Sequence, residues 1–113
     1  MILFKKDDLV RFLQYGKKAT TRSRDWNQAK VGSRHQLRIN FNYPPFAYAD
    51  IESIELIDLD TDLTEELLYD LGHLGDYESY MSEDYNDVSE KKLVRFSNIE
   101  FNKDFPWDEF LKE

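Results

Sequence analysis

The tight turn at residues 43–45, Tyr-Pro-Pro, constrains the fold most, because strand-like sequence stands on both sides of it. Apolar residues alternate with polar ones over residues 37–41. A longer run over residues 46–59 is rich in aliphatic residues but breaks strict alternation, which indicates a β-bulge. Two strands joined by so short a turn are antiparallel. The pattern therefore favours an α+β domain over a doubly wound parallel sheet.

Start and stop signals place the other elements around this hairpin. A strand is predicted over residues 2–4 and a closing strand over residues 93–101, and residues 17–33 are expected to form a long ordered loop. Helices are predicted from Asp7 or Asp8 to Tyr15, over residues 63–71 after a capping Asp62, and from Asp76 to Met81, with Gly16 and Gly72 as stops for the first two. The strands would close into a small open barrel. Its interior is expected to hold Leu3, Leu37, Ile39, Phe41, Ile54, Leu56, Ile99 and Phe101.

The length of 113 residues fits one domain, with a core over residues 1–101 and a C-terminal helical turn over 102–113. No apolar run approaches the ~20 residues of a membrane-spanning helix. The chain has no Cys and two His, His35 and His73, so the sequence predicts neither a metal nor another cofactor. The expected location is cytoplasmic, and the sequence leaves the oligomeric state open.

Charge is divided unevenly along the chain, whose net charge is -8. Residues 1–38 carry ten Lys and Arg against three Asp and Glu, whereas residues 39–113 carry five against twenty. Residues 50–90 hold fifteen acids and no Lys or Arg. Such a run is typical of a solvated acidic face, and it also suits an adaptor that binds a basic protein partner through residues 50–90.

The basic segment over residues 16–26 is the best candidate for a binding site. Four cations and three hydroxyl side chains stand within residues 16–24, and Trp26 follows. Such residues bind phosphate, and an indole stacks on a base. Lys17 and Lys18 are also explained as partners of a helix C-terminus, and Trp26 as an anchor in the core.

The spacing Gly16-x-Lys18-x-x-Thr21, followed by Arg22, resembles the signature of the ASCH domain, a relative of the PUA fold. Collinear similarities cover the rest of residues 1–101: an opening strand at 2–6, a turn at 30–33, and later matches at 45–46, 63–66 and 99–101. The resemblance implies a PUA-like open β-barrel flanked by helices. It places the end of the first helix and the basic segment at one mouth of the barrel.

Two functions are predicted for the basic segment. The first is binding of short single-stranded RNA or a modified nucleoside. The net charge of -8 disfavours binding of long polyanions. The cleft would consist of Lys18, Thr21, Arg22 and Arg24, with Lys17, Lys30 and Arg34 on its rim and Trp26 stacking on a base.

The second function is catalysis in the same cleft. Small enzymes of this family that deacetylate N-acetylated cytidine use a Lys, a Thr and a Glu. Lys18 and Thr21 match the first two, and Asp70 is the nearest acid to the third. Thr21 would be the nucleophile and Lys18 its base, provided that Lys18 loses its proton, while Arg22 or Arg24 would stabilise the oxyanion. An amidohydrolase and a ribonuclease are both open alternatives.

Overall fold

The computed structural model describes residues 1–84 and 89–111. Its strands form one five-stranded sheet of order β1-β3-β4-β5-β2, which curls into a half-barrel. The strands are β1 (Ile2–Leu3), β2 (Ala19–Ser23), β3 (Arg34–Arg38), β4 (Ala47–Asp58) and β5 (Glu90–Phe101). The helices are α1 (Asp8–Gln14), α2 (Leu59–Asp62), α3 (Glu65–Asp70), α4 (Tyr77–Asp84) and α5 (Trp107–Phe110).

The pairing of the strands confirms the α+β class. Strands β3 and β4 are antiparallel across the Tyr-Pro-Pro turn, and β4, β5 and β2 continue the antiparallel order, while β1 lies parallel to β3. The register shift between Ile51 and Ser53, where β4 has the extra residue, confirms the predicted irregularity of β4, and at a second shift, between Tyr48 and Asp50, the extra residue is on β5. Extra residues of this kind bend a strand and help a sheet to curl.

Two hydrophobic clusters cover the two faces of the sheet. Leu93 and Val94 are neighbours on β5 but belong to different clusters, as the two-residue period of a strand requires. The barrel cluster includes Ile2, Phe4, Leu9, Phe12, Leu37, Phe46, Ile51, Val94, Phe96 and Phe105. The helical cluster joins the other face to α2, α3 and α4 and consists of Ala19, Ile57, Leu59, Leu67, Leu68, Leu71, Tyr80 and Leu93.

The predicted barrel interior is wrong at three positions. Phe41 is 71% exposed, because β3 ends at Arg38 and Phe41 lies in the following turn. Leu3 and Leu56 are also exposed. Next to Leu3, Ile2 belongs to the barrel cluster, whereas Ile57, next to Leu56, is buried in the helical cluster on the other face. Leu37 is buried as predicted, and half-buried side chains pack against the barrel cluster at Ile39, Ile54, Ile99 and Phe101.

The predicted loop over residues 17–33 is wrong in its first part, because residues 19–23 form β2 along β5. The predicted cap of the helix after residue 63 is also wrong. Asp62 ends α2, and the Oγ1 atom of Thr64 accepts a hydrogen bond from the amide of Leu67 at 3.1 Å. This bond satisfies one of the amides that a helix start leaves without a partner inside the helix.

Gly72, which follows α3, allows three elements to approach closely. Its φ of +86° is in the left-handed region, and an added Cβ would lie 2.8 Å from the Cβ of Arg11 and 2.9 Å from the Cβ of Lys17. These carbons belong to α1 and to the segment before β2. Only a glycine suits both the dihedral angle and the space.

None of the helices within residues 1–84 and 89–111 has the length and apolar character that crossing a bilayer requires. Residues 85–88 of the predicted acidic surface, and residues 112–113 of the predicted C-terminal turn, lie outside the described residues.

Candidate ligand-binding site

Lys18, Asp70 and Arg95 form a cluster of charges where the end of α3 meets the start of β2. The main chain brings them together: the amide of Lys18 donates to the carbonyl of Asp70 at 2.8 Å, and Ala19 pairs with Arg95 in the sheet. The Lys18 Nζ atom lies 3.5 Å from one carboxylate oxygen of Asp70. Arg95 donates to the other oxygen at 2.8 Å. One carboxylate therefore holds two cations.

This cluster borders a groove of about 530 Å³ between strands β4 and β5 and helices α2 and α3. Asp70 and Arg95 are both in its wall. The lining residues are Glu55, Leu56, Ile57, Asp62, Thr64, Glu66, Leu67, Asp70, Leu93 and Arg95. Four of them are acids and one is a cation. The groove is therefore acidic inside, and Lys18, bound to Asp70, adds positive charge beside it.

Lys17 was predicted on the rim of the cleft, but it stabilises the fold instead. Its side chain is buried, and its Nζ atom donates to the carbonyl of Leu71 at 2.9 Å. The ammonium also lies over the ring of Phe12, 5.7 Å from the centroid. It thereby satisfies a carbonyl just after α3. Lys17 therefore has a structural role between α1 and the end of α3.

Thr21 has a different neighbour from Lys18. Its Oγ1 atom lies 2.9 Å from the hydroxyl of Tyr80 on α4. Thr21 also lines a cavity of about 160 Å³ at the opening between β1 and β2. The two residues of the predicted catalytic pair therefore have different partners. Lys18 contacts Asp70, and Thr21 contacts the hydroxyl of Tyr80.

Arg22 closes the opening between the two edge strands. Its guanidinium donates to the carbonyl of Leu3 at 2.7 Å and lies over the rings of Phe4 and Trp26, at 4.8 and 5.9 Å from their centroids. Trp26 is half-buried and packs against the barrel cluster. The carbonyl of Trp26 accepts a hydrogen bond from Lys92. These contacts favour the reading of Trp26 as an anchor.

The remaining predicted cations are dispersed. Arg24 is exposed and lies 3.6 Å from Glu90, and Lys30 is exposed in the loop before β3. Arg34 lies on β3, which β4 and β5 separate from β2. Its guanidinium donates to Asp50 at 3.0 Å and to the carbonyl of Asn98 at 3.2 Å. The basic residues predicted for one cleft are therefore not all brought together.

Asp50 has a pKa below its ordinary value. Hydrogen bonds from the amide side chain of Asn98 and from Arg34 stabilise its carboxylate and lower the pKa. Burial and the nearby amino-terminal charge lower the pKa of His35. Across the described parts of the chain, no three His or carboxylate side chains are grouped as metal ligands.

Sequence reasoning missed Arg95 and Tyr80, which hold Asp70 and Thr21. It also missed Lys91 and Lys92, which pair with β2 opposite Ser23 and Arg22. The three cations within residues 91–95 can be seen in the sequence. Their place beside the basic segment could not be predicted, because it depends on pairing with residues 19–23, about seventy positions earlier.

No protein-family model and no curated protein matches the chain. Among solved structures, the crystal structure of ASCH from Zymomonas mobilis is similar, with a TM-score of 0.61 at 13% sequence identity. The similarity covers 86% of this chain and 65% of that one, so the chain spans less than two thirds of its length. The described sheet and helices agree with this likeness. The protein therefore has the fold of an ASCH domain, the PUA-like open β-barrel flanked by helices that its sequence predicts.

Proposed function

We propose that the chain binds a short single-stranded RNA or a nucleoside-sized ligand at the acidic groove and the adjoining charge cluster. The observation that carries the proposal is the convergence of Lys18 and Arg95 on Asp70 at the border of the groove. In this arrangement one phosphate contacts the two cations, and one base enters the groove.

A phosphate can compete with Asp70 for the cations, because both side chains reach solvent. Lys18 is 59% exposed and Arg95 is 30% exposed. Exposed ion pairs contribute only about 0–1 kcal/mol, so Lys18 can exchange its partner at small cost. Arg95, whose bond to Asp70 is part-buried, has further N–H groups to offer a phosphate. Arginine also binds phosphate through two parallel hydrogen bonds. The cluster thus supplies a phosphate site that Asp70 occupies when no ligand is bound.

Because the groove is acidic, the part of a ligand that enters it should carry little negative charge. Glu55, Asp62 and Glu66 would repel a phosphate there, and the net charge of -8 opposes a long polyanion. Carboxylates accept hydrogen bonds from the amino groups of bases. A volume of about 530 Å³ is within the usual ~300–1,000 Å³ of small-molecule sites. The base, without its phosphate, suits this groove.

The test is a titration of the labelled protein with cytidine, cytidine monophosphate and a short single-stranded RNA, followed by NMR chemical shifts. The amides of Lys18, Asp70 and Arg95 should shift, and the phosphorylated ligands should bind more tightly than cytidine. Lys18→Ala and Arg95→Ala should weaken this binding. Lys103→Ala, which removes an exposed lysine elsewhere, should not. Unchanged shifts at the cluster at low salt would refute the proposal.

A second candidate function is hydrolysis of N-acetylated cytidine. It is favoured by the 3.5 Å distance between Lys18 and Asp70, the acid that the family resemblance suggests. In this scheme Asp70 acts as the base in place of Lys18, because its carboxylate can accept a proton from water. Water loses a proton to Asp70 and attacks the acetyl carbonyl, Lys18 stabilises the oxyanion, and the C–N bond breaks as the proton passes to the leaving amine.

The assay for this reaction follows release of acetate from N-acetylated cytidine, with short RNAs added in parallel to detect a ribonuclease. Asp70→Asn should abolish turnover, and Lys18→Ala should reduce it. Thr21→Val separates the two schemes, because it stops the reaction only if Thr21 is the nucleophile. No turnover by the unmodified chain would leave binding alone. The proposed role of the acidic surface in binding a basic protein stays a prediction.

A further inference from the structure

The turn between α3 and α4 holds a leucine in an unusual backbone conformation. Leu74 has a φ of +52°, and among the residues that the structure describes the other non-glycine residue with a positive φ is Asn98. Asparagine tolerates this left-handed region, whereas a bulky apolar side chain there is an outlier. The side chain of Leu74 is also 51% exposed, so it gains only part of the free energy of burial. Packing within the chain therefore gives little reason for a leucine at this position.

The residue before Leu74 shows how the turn is held. His73 is buried, and its ring meets the ring of Tyr80 edge-on, with centroids 5.4 Å apart. Its amide donates to the carbonyl of Leu68 at 3.0 Å, and its carbonyl accepts from the amide of Asp76 at 2.9 Å. Because these contacts keep His73 inside the protein, the turn leaves Leu74 at the surface.

Two exposed tyrosines, Tyr69 and Tyr77, lie close to Leu74. Gly75 connects the three, because a Cβ added to it would lie 2.9 Å from the Cε2 atom of Tyr69. Leu74 and Tyr77 are one and two positions from this glycine, so their Cα atoms lie within about 8 Å of its own. The three side chains form an exposed apolar surface at this corner of the protein, the Tyr69–Leu74–Tyr77 patch. Exposed apolar patches commonly mark interaction sites.

Acidic side chains adjoin this patch. A Cβ added to Gly75 would lie 3.2 Å from the Cγ atom of Glu65, and Asp76 and Glu78 are exposed on either side of Tyr77 in the sequence. All three acids belong to the run of fifteen acids without Lys or Arg. Like charges oppose binding of RNA, of an anionic lipid surface, or of a second copy of the same patch. An apolar surface edged by acids is complementary to apolar groups edged by cations.

Arg11 and Lys17 are the cations that approach the other glycine of the turn, Gly72. Arg11 pairs with Asp8 at 3.3 Å, and Lys17 is buried. Neither of them changes the acidic character of the exposed patch.

We propose that the Tyr69–Leu74–Tyr77 patch docks a basic amphipathic segment of another protein. Apolar side chains of this partner cover Leu74 and the tyrosine rings, and its Lys and Arg side chains meet the acids and lie over the ring faces. Leu74 is the apolar anchor of the interaction. The proposal does not depend on the proposed nucleotide site. It narrows the acidic interaction surface predicted over residues 50–90 to one corner of the protein.

The probe is a synthetic peptide of about 18 residues in which Leu and Lys repeat at helical spacing, and NMR chemical shifts of the labelled protein report where it binds. The amides of Tyr69, Leu74, Gly75 and Tyr77 should shift most. The same peptide with Ser in place of Leu should bind at least about fivefold more weakly, and with Glu in place of Lys it should not bind. Shifts confined to acidic residues outside the patch would overturn the proposal.

Leu74→Asn tests the anchor, because asparagine suits the left-handed region and removes the apolar side chain. Its Tm should differ from that of the unmodified chain by less than about 4 °C, and its affinity for the Leu-Lys peptide should be about fivefold lower or more. Val31→Asn is the matched control, since Val31 is an exposed apolar residue outside the patch. It should bind the peptide as the unmodified chain does. Unchanged affinity in Leu74→Asn would overturn the proposal, and so would a larger fall in Tm, which would show that this leucine stabilises the fold.

The double variant Glu65→Gln/Glu78→Gln tests the charges. It should bind the Leu-Lys peptide about threefold more weakly at low salt, and the difference should disappear at high salt. Glu100→Gln, which neutralises an exposed acid on β5, should have no effect. Equal affinities of the double variant and Glu100→Gln would contradict the charge complementarity on which the choice of a basic partner depends.

Two further measurements separate this proposal from the alternatives. Leu74→Asn should bind cytidine monophosphate as the unmodified chain does, so failure of the nucleotide site leaves the peptide experiment unaffected. Sedimentation of the chain alone should show a monomer. A dimer that Leu74→Asn dissociates would overturn the proposal, because a second copy of this chain would then be the occupant of the patch.

Discussion

Gly72 lies where the end of α3, helix α1 and the segment before β2 are in contact, so a single added methyl group tests how the site is held. In Gly72→Ala the new carbon would lie 2.8 Å from the Cβ of Arg11 and 2.9 Å from the Cβ of Lys17. Both neighbours are attached directly to the backbone and cannot rotate away. The main chain must therefore shift, and Lys18 and Asp70 are anchored to the same two segments.

The expected cost has two parts. A non-glycine residue in the left-handed region costs roughly 1–2 kcal/mol, and the reduced freedom of the unfolded chain offsets about 0.4–1 kcal/mol of this. Overpacking adds about 1–3 kcal/mol. Gly32 also has a φ of +86°, but an added Cβ there has no neighbour within 4 Å. Gly32→Ala should therefore cost about 1 kcal/mol and Gly72→Ala about 3 kcal/mol.

Comparing the thermal unfolding of the two variants isolates the steric cost at Gly72, because both glycines have a φ of +86°. The difference of about 2 kcal/mol corresponds to a Tm about 8 °C lower for Gly72→Ala than for Gly32→Ala. Gly72→Ala should also weaken binding of cytidine monophosphate, whereas Gly32→Ala should not. Equal Tm values for the two variants would refute the argument that close approach at Gly72 positions the site.

Three further predictions concern charge. The logarithm of the affinity for a short single-stranded RNA should fall with the logarithm of salt concentration at a slope of about -0.7, the value for one neutralised phosphate, and a flat dependence would contradict that contact. Lys17→Met should cost about 1–3 kcal/mol in urea unfolding, because the carbonyl of Leu71 loses its donor, whereas Lys103→Met should change stability by less than about 0.5 kcal/mol. The lowered pKa of Asp50 means that its carboxylate stabilises the fold above its unfolded pKa of about 4, and that this contribution is lost as pH falls through the folded pKa. The Tm of the unmodified chain should therefore fall more steeply below about pH 4 than that of Asp50→Asn, and parallel curves would exclude this role.

Features set by local sequence could be predicted. The antiparallel hairpin, its bulged second strand and the ends of the first and third helices depend on nearby residues, and the structure contains them. The connection of the hairpin is longer than the tight turn predicted at residues 43–45, because β3 ends at Arg38 and β4 begins at Ala47. Gly16 follows α1 with a φ of +69°, as a helix stop requires. The architecture was predicted from the family resemblance, whose similarities cover residues 1–101.

Features set by distant pairing could not be predicted. Residues 19–23 have few large apolar side chains and become a strand because β5 lies beside them. The side of the sheet that Leu3 faces depends on the register of a two-residue strand, which no local pattern defines. The site depends on the same kind of information. The sequence shows a basic segment and an acidic helix, but only the fold brings Lys18 to Asp70 and directs Lys17 into the interior.

The order of the strands also has a consequence for synthesis on the ribosome. Strand β5 is the last of the five to be made, yet it lies between β4 and β2. Until it arrives, the twelve residues of β4 have an uncovered edge, and β2 has no neighbour in the sheet. Uncovered edges invite pairing between chains. A nascent or truncated polypeptide that ends before residue 90 is therefore expected to aggregate, and every residue of the charge cluster but Arg95 would already be present.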